Sequence, residues 1–305
     1  MLHIISIVVP VIFGIIAIVG FFGNALVVTV VVANSRMRST TNLLIVNLAL
    51  ADLLFIVFCV PFTASDYALL FWPFGEVWCK IVQYLVIVTA NASIYTLVLM
   101  SLDRYLIVVH PLSSISIRTK TKTYWAIAVT WVFLSHEVVI FSACVPLLMA
   151  HGHVVYQFAG EEYTGCRFLH KEGWSYYAFQ IAFFATSYVV PLLLICGLHV
   201  GMLTHLWRRT TPGGRVSVRR QRGKKMRVTR LVCIVVFTFA ICWLPIQLYL
   251  LLKSLALFNT SPVTVVIQIT SHILAYMNSC MNPFLYAFIS DNFRKSFRKI
   301  IHCPR

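Results

Sequence analysis

Seven long apolar runs constrain this chain more than any other feature. They cover residues 4–33, 40–69, 76–109, 121–148, 175–207, 228–255 and 262–289. A helix of about 20 mostly apolar residues crosses a hydrocarbon core of about 30 Å, so each run is long enough to span a membrane. A spanning helix also satisfies its own backbone hydrogen bonds, which lipid cannot do. The sequence therefore predicts an all-α integral membrane protein, a seven-transmembrane-helix bundle that forms a single domain over residues 1–305.

The placement of positive charge predicts the orientation of this bundle. A net charge of +16 could by itself indicate a nucleic-acid-binding protein. However, all but four of the 25 Lys and Arg residues lie at the end of, or after, the first, third, fifth and seventh runs. The exceptions are Lys80, Arg167, Lys171 and Lys253. Because positively charged loops stay in the cytoplasm, we expect a plasma-membrane protein with an extracellular N-terminus and no nucleic-acid partner.

Two alternating stretches between the fourth and fifth runs predict a β-hairpin over the extracellular mouth. Residues 153–158 and 163–168 alternate apolar and polar side chains, and residues 159–162 separate them as a turn. Cys79 and Cys166 are the two cysteines on this oxidising side of the membrane, at positions that could pair.

A second short element is predicted after the seventh run. Residues 291–303 alternate phenylalanine and isoleucine with arginine and lysine. This pattern is typical of an amphipathic helix that lies on the cytoplasmic leaflet, in contact with membrane lipids.

Asp52 is the clearest ionisable residue deep inside an apolar run, where a charge is costly and asks for a function. Hydroxyl and amide side chains occur at similar depths in other runs. A carboxylate among such oxygens suits a hard monovalent cation, and we expect an allosteric sodium ion. The alternative is a water-mediated polar network without an ion. The predicted sodium ligands are Asp52, Ser93, Asn278, Ser279 and Asn282.

Asp103, Arg104 and Tyr105 end the third run at the cytoplasmic face. An aspartate beside an arginine can hold the guanidinium by a charge-assisted hydrogen bond, and release of that arginine would offer a donor to a partner. As a lone tripeptide the motif indicates only a solvated helix end. Its position at the inner end of a third membrane run favours the functional interpretation.

The sixth and seventh runs each place large side chains beside a helix-kinking proline. Phe239 and Trp243 lie one turn apart before Pro245, which predicts an aromatic two-state element, although such residues also serve ordinary packing. In the seventh run, Asn282, Pro283 and Tyr286 share one inner stripe, from which Tyr286 could swing towards Arg104.

Taken together and in order, these signatures resemble the rhodopsin-like family of G-protein-coupled receptors. One short motif matches in each helix. The matching residues are Gly23-Asn24, Leu48 to Asp52, Asp103-Arg104-Tyr105, Trp131, Pro191, Cys242 to Pro245, and Asn282-Pro283 with Tyr286. The resemblance implies a cytoplasmic heterotrimeric G protein as partner and no catalysis. It also implies a disulfide between Cys79 and Cys166, a core trio of Ile94, Pro191 and Phe239, and palmitoylation of Cys303.

Absences narrow the expected ligand. An amine receptor of this family would carry an aspartate at Val86, and a light sensor would carry a lysine at Tyr276. This leaves peptide receptors as the leading class. Three segments resemble the galanin receptors and, more closely, the insect allatostatin-A receptor group: residues 37–47, Pro61-Phe62-Thr63-Ala64 and Trp72-Pro73-Phe74-Gly75. The resemblance implies a C-terminally amidated peptide agonist and an inhibitory G protein, with a galanin-like peptide as the alternative.

The expected ligand pocket lies at the extracellular ends of the runs. Its neutral hydrogen-bonding groups suit a carboxamide, and charged residues stand only at its rim. The candidate ligand-binding residues are Asp66, Gln83, Val86, Arg167, Phe168, Gln247, Gln268, His272 and Tyr276.

A transporter or channel is the remote alternative, because it too would carry polar residues inside a bundle. It would need a continuous polar path, whereas Asp52 and Glu137 are the only acids well inside the runs. An enzyme is not expected, because metal-ligand spacings such as H-E-x-x-H are missing from the sequence.

Overall fold

The computed structural model describes residues 2–69, 71–140, 151–158, 161–169, 175–208, 216–258, 261–289 and 293–297. Within these residues the chain is mostly helical, with one small two-stranded sheet. The predicted amphipathic helix lies only partly inside them, and Cys303 lies outside.

Helices occupy all seven predicted runs. The uninterrupted ones are Leu2–Ala33, Gly75–Val109, Lys120–Ile140, Val216–Ser254 and Pro262–Ile289, which form the first, third, fourth, sixth and seventh membrane helices. The second consists of Thr40–Phe58 and Val60–Ala68. The fifth consists of Tyr176–Phe184, a π turn at Ala185–Val189, and Val190–Arg208. Six of the seven are long and apolar enough to cross a membrane, whereas the fourth is described only to Ile140.

Prolines explain both interruptions. Pro61 lies in the first turn of the second piece of its helix, where the missing N–H costs nothing. Pro191 follows the π turn, and a wider turn accommodates a ring that would otherwise press on the preceding carbonyl. Hydropathy alone predicts one continuous apolar run for the second helix and one for the fifth, and it does not reveal these interruptions.

The sixth helix begins at Val216, twelve residues before its apolar run. An α-helix needs no lipid to continue, so the run marks the membrane span and not the ends of the helix. The helix ends at Ser254, and Ala256 just beyond it has a φ of +56°. There the amide of Leu257 donates to the carbonyl of Leu252 (3.1 Å) and that of Ala256 to Lys253 (3.1 Å), the pair of bonds that closes a Schellman cap.

The extracellular hairpin is present and longer than predicted. Strands β1 (His151–Phe158) and β2 (Glu161–Phe168) pair antiparallel, with His153 opposite Cys166 and Phe158 opposite Glu161. Glu161 and Glu162 therefore belong to β2 and not to the turn. Charged residues weaken a strand signal in a sequence, but a solvent-facing hairpin tolerates them.

The bundle is apolar on the outside, and its largely apolar interior holds a set of hydrogen-bonded polar side chains. Large hydrophobic side chains such as Phe22 (67% exposed), Leu193 (67%) and Phe288 (76%) face outward, as a hydrocarbon surrounding requires. Inside, Asn47 donates to Thr96 Oγ1 (2.7 Å) and accepts from Trp131 Nε1 (2.9 Å). This single amide joins the second, third and fourth helices.

Two short helices lie at the end of the bundle that carries Arg104. Pro111–Ile117 follows the third membrane helix and precedes Arg118. Residues 293–297 form a helical segment after the seventh, with Phe293 and Phe297 buried and Arg294 exposed. The buried and exposed faces of this segment match the predicted amphipathic pattern over the residues that are described.

Candidate ligand pocket and signalling centre

A disulfide between Cys79 and Cys166 fastens the hairpin to the third helix, as the resemblance implies, with their Cα atoms 5.6 Å apart. The amide of Trp72 donates to the carbonyl of Thr164 in β2 (2.9 Å), and the Trp72 ring packs in the same cluster as the two cysteines. Strand β2 is thus held at adjacent points, and it cannot leave the mouth of the bundle without breaking both attachments.

Two hydrogen bonds join the second and seventh helices beneath the hairpin. Tyr67 Oη lies 2.9 Å from His272 Nδ1, and Thr63 Oγ1 lies 2.9 Å from Tyr276 Oη. His272 and Tyr276 were expected in the pocket, whereas Thr63 and Tyr67 were not. The sequence did contain a signal for Thr63 and Tyr67: these two polar residues are four positions apart, which places them on one face of an apolar helix.

The fifth and sixth helices contribute two further neutral pairs. Gln247 Nε2 donates to Ser187 Oγ (2.9 Å), and Tyr249 Oη donates to Gln268 Oε1 of the seventh helix (3.0 Å). Gln247 is almost fully buried. The expected glutamines therefore lie in the upper bundle, each already bonded to a partner from another helix.

Gln83, Val86 and Phe168 lie on the third-helix side. Gln83 Nε2 approaches Cys166 Sγ at 3.8 Å, and Val86 packs partly buried beside the disulfide cluster. Phe168 at the end of β2 packs on the rings of Tyr176 and Phe179, with centroids 5.0 and 5.6 Å away. Phe168 thus connects the hairpin to the top of the fifth helix.

The charged residues at the rim of the pocket form an ion pair with each other. Arg167 Nη1 binds Asp66 Oδ2 at 2.7 Å across the mouth, and the Arg167 side chain remains half exposed. Both residues were expected to meet a ligand. In this arrangement they meet each other, so a charged ligand group would have to replace one of them or bind outside the pair.

Asp52 is completely buried at the centre of the bundle. Asn282 Nδ2 donates to its Oδ2 (2.8 Å), Ser93 Oγ to its Oδ1 (3.4 Å), and Ser279 also hydrogen-bonds to it. Asn278 and Asn282 each bury a side-chain Oδ1 without a partner among the described residues. A buried carboxylate beside the unsatisfied amide oxygen of Asn282 is a donor set that fits a hard monovalent cation, whereas no contact joins Asn278 to Asp52 among the described residues.

Asp103 binds two arginines at the end of the third membrane helix. Its Oδ2 accepts from Arg104 (2.8 Å) and from Thr41 (2.8 Å), and its Oδ1 accepts from Arg118 Nε (2.6 Å). Arg104 also donates to Thr41, and Arg118 donates to Thr40 Oγ1 (2.8 Å). Sequence reasoning missed Arg118, because only the fold of the short helix 111–117 brings residue 118 back to residue 103.

Tyr105 points away from this cluster, with its ring 5.9 Å from that of His110. It also touches the fifth helix at Gly201, where an added Cβ would lie 3.0 Å from the Tyr105 ring. The third residue of the motif therefore packs between helices and does not join the ion pairs.

The expected switch residues lie along the bundle axis. Phe239 and Trp243 stack at 5.7 Å, and Phe55 of the second helix lies 6.3 Å from Trp243. Ile94 belongs to the same buried cluster, and Pro191 is buried in the fifth helix. Pro245 and Pro283 lie inside their helices.

Tyr286 is completely buried, and its ring lies 5.5 Å from that of Phe293. Its hydroxyl has no partner among the described residues. The structure thus places Tyr286 against the segment 293–297.

Comparison with known proteins places these features in one family. The model of the seven-transmembrane receptors of the rhodopsin family matches residues 23–286. The allatostatin-A receptor of Bombyx mori is 56% identical over 301 residues, which is 99% of this chain and 81% of the relative. A galanin-like G-protein coupled receptor of Caenorhabditis elegans is 37% identical over 97% of this chain and 74% of its own length. Galanin receptor type 2 of Mus musculus is 37% identical, with coverages of 97% and 76%.

We predict that replacing Cys79 by Ser releases β2 from the third helix and lowers the thermal unfolding temperature of the purified protein in detergent. Closing a loop of 87 residues restricts the unfolded chain by several kcal/mol in entropy models. Cys166→Ser should cause the same loss, and the double variant no more than either one. The matched control is Cys196→Ser, an exposed free thiol in the fifth helix. Unequal losses in the two single variants, or a further loss in the double variant, would contradict the bond.

Proposed function

Because this chain belongs to the rhodopsin family of seven-transmembrane receptors, we propose that its agonist is a short peptide whose amidated C-terminus enters the bundle, as an allatostatin-A-like peptide would. The chain is a G-protein-coupled neuropeptide receptor and not an enzyme. The bilayer-spanning helices make it a multi-pass plasma-membrane protein.

The neutral hydrogen-bonding lining of the upper bundle is the observation that carries the proposal. Tyr67–His272, Thr63–Tyr276 and Tyr249–Gln268 are pairs of uncharged donors and acceptors contributed by different helices. A carboxamide carries both a donor and an acceptor, so it can replace either partner of such a pair without loss of a hydrogen bond. A carboxylate only accepts, and its charge would be several kcal/mol costlier to bury without a cation.

The nearest cations support this preference. Arg167 is engaged with Asp66 at the rim, and Lys253 lies over the Tyr249 ring at 5.8 Å, near the extracellular end of the sixth helix. Both stand above the neutral pairs. We propose that the Asp66–Arg167 pair opens to receive the polar or charged upstream part of the peptide.

The first test compares one allatostatin-A-like peptide made as the amide and as the free acid. We expect the acid to be at least tenfold less potent, which corresponds to about 1.4 kcal/mol. G-protein activation in cells that express the chain is the readout. A galanin-like peptide run in parallel tests the alternative ligand class, because galanin receptors are also relatives. Equal potency of amide and acid contradicts the C-terminal assignment.

We propose that the opposite face, which carries Arg104, receives a heterotrimeric G protein of the inhibitory type, and that the N-terminus is extracellular. The excess of Lys and Arg at this face supports a cytoplasmic location. Beside Asp103 and Arg104, the short helix 111–117 exposes Leu112 (84%) and Ile115 (77%). Apolar side chains so exposed near a releasable arginine suit a protein partner.

Agonist binding would act by separating Arg104 from Asp103. The sequence offers Lys224, Lys225 and Arg227 but no acid at the start of the sixth helix, so the ion pairs of Asp103 are the restraint on Arg104. Because Asp103 also binds Arg118, its carboxylate divides its charge between two guanidinium groups. We therefore expect measurable signalling without agonist.

The second test replaces Asp103 by Asn, which keeps the shape and removes the charge that both arginines share. We expect ligand-free G-protein activation to rise several-fold above that of the unaltered chain, which itself should exceed the level of Arg104→Ala. Glu76→Gln is the matched control, since it removes the acid of an exposed ion pair with Lys80 at the opposite end of the bundle, outside the proposed sites. A native level indistinguishable from Arg104→Ala, or no rise in Asp103→Asn, would count against this restraint.

We propose that sodium binds Asp52 with Ser93, Asn278, Ser279 and Asn282 and favours the inactive bundle. The ion would neutralise the buried charge of Asp52 and would be coordinated by the unsatisfied amide oxygens of Asn278 and Asn282. It can shift the equilibrium only by binding one state more tightly than the other. The alternative is a water network, which would show no preference among monovalent cations.

The third test measures agonist affinity in sodium chloride and in choline chloride at equal ionic strength. We expect sodium to weaken agonist binding and Asp52→Ala to abolish this difference. Ser101→Ala is the control, because Ser101 is a buried hydroxyl on the same helix as Ser93 and outside the ion site. A salt response that persists unchanged in Asp52→Ala places the site elsewhere.

A further inference from the structure

The ring of Phe55, in the second membrane helix, lies between Tyr276 of the seventh helix and Trp243 of the sixth. Its centroid is 4.8 Å from that of Tyr276, with the two ring planes nearly perpendicular (87°), and 6.3 Å from that of Trp243. Trp243 in turn stacks on Phe239 at 5.7 Å. Among the described residues, Phe55 is the one aromatic ring in contact with both Tyr276 and Trp243. The row of ring contacts from Tyr276 to Phe239 therefore passes through the second helix.

Tyr276 contacts both pieces of the second helix. Its hydroxyl lies 2.9 Å from Thr63 Oγ1, in the piece Val60–Ala68. Its ring packs on Phe55, in the piece Thr40–Phe58. A group that replaces Thr63 as the partner of the hydroxyl therefore acts on a ring that also touches Phe55.

Packing, and not a hydrogen bond, determines the orientation of the Trp243 indole. Its Nε1 is buried and has no hydrogen-bond partner among the described residues. The ring contacts with Phe55 and Phe239 are thus part of what holds it in place. Pro245 lies two residues further along the same helix, and a proline is a place where a helix kinks.

We propose that Phe55 is a positioning residue that couples agonist binding at Tyr276 to the orientation of Trp243, and through it to the sixth helix. This inference rests on the proposed peptide agonist, since Tyr276 is one of the residues assigned to its pocket. Phe55 itself need not touch the agonist. Its loss removes the coupling between agonist and G protein and leaves the hydrogen-bonding groups of the pocket in place.

Close packing explains why a movement of Tyr276 reaches Phe55. Phe55 is 2% exposed and Tyr276 is 5% exposed, and Phe13 of the first helix packs on Tyr276 at 5.2 Å. Side chains in so dense an interior change between discrete arrangements and do not compress. When a carboxamide replaces Thr63 and displaces the Tyr276 ring, Phe55 shifts as well, and its contact with Trp243 changes.

The first measurement expresses this coupling as a ratio of affinities, because agonist and G protein raise each other's affinity by the same factor. The affinity of an amidated allatostatin-A-like peptide is measured for the full chain in lipid nanodiscs, with and without a purified inhibitory heterotrimeric G protein. Phe55→Leu should keep the affinity without G protein within about threefold and reduce the rise that G protein causes by about fivefold or more.

The matched control is Phe13→Leu. Phe13 is as deeply buried as Phe55 and also packs on Tyr276, but its other ring contact is with Tyr67 and not with Trp243. The control therefore removes a similar ring beside the same tyrosine and should change the G-protein-induced rise by less than about twofold. Thermal unfolding is measured for both variants, so that a general loss of stability is recognised.

The second measurement needs no ligand. Thermal unfolding temperatures of the purified chain are compared for Tyr276→Leu, Trp243→Leu and the double variant, each with and without Phe55→Leu. While Phe55 is present, the two losses should differ from additivity by about 2 °C or more, and with Phe55→Leu they should add. If the unaltered chain does not bind the peptide, the proposed ligand is wrong, and this cycle still decides the role of Phe55. A folded Phe55→Leu variant that keeps the full rise in affinity, or a Tyr276–Trp243 interaction that persists without the Phe55 ring, would overturn the inference.

Discussion

A polar side chain inside this bundle must find its hydrogen bonds on its own helix or on a neighbouring one, because the surrounding hydrocarbon offers none. Asn47 joins three helices through Thr96 and Trp131, and Asn282 joins the seventh helix to the second through Asp52. Lipid tails are as apolar as the helix surfaces, so packing and these bonds must hold the helices in register. Several residues to which we assign a function, Asp52 and Asn282 among them, also hold the bundle together.

This constraint gives the two ends of the molecule a common design. At the end that carries the hairpin, the pairs Tyr67–His272 and Thr63–Tyr276 connect the second and seventh helices. At the opposite end Asp103 connects the third helix to Thr41 of the second and to Arg118 beyond the short helix. A ligand that replaces the partners at one end therefore changes the restraints on a helix that is also held at the other.

Between the two ends the bonding is incomplete. Trp243 Nε1, Asn278 Oδ1 and Tyr286 Oη are buried without partners among the described residues. A buried polar atom without a hydrogen bond costs about 1–3 kcal/mol, so an arrangement that satisfies these atoms would recover part of that free energy.

The sequence by itself determined the seven membrane helices, the hairpin, the disulfide partners and the family, because apolar length, charge placement and short motifs are local properties of the chain. It could not show that the sixth helix continues to Val216 or that a π turn precedes Pro191, since hydropathy records the membrane span and not backbone geometry. Tertiary structure alone brought Arg118 to Asp103 and closed Arg167 onto Asp66. The first pair is separated by 15 positions in the sequence and the second by 101. Such contacts form only when packing decides which helix faces meet.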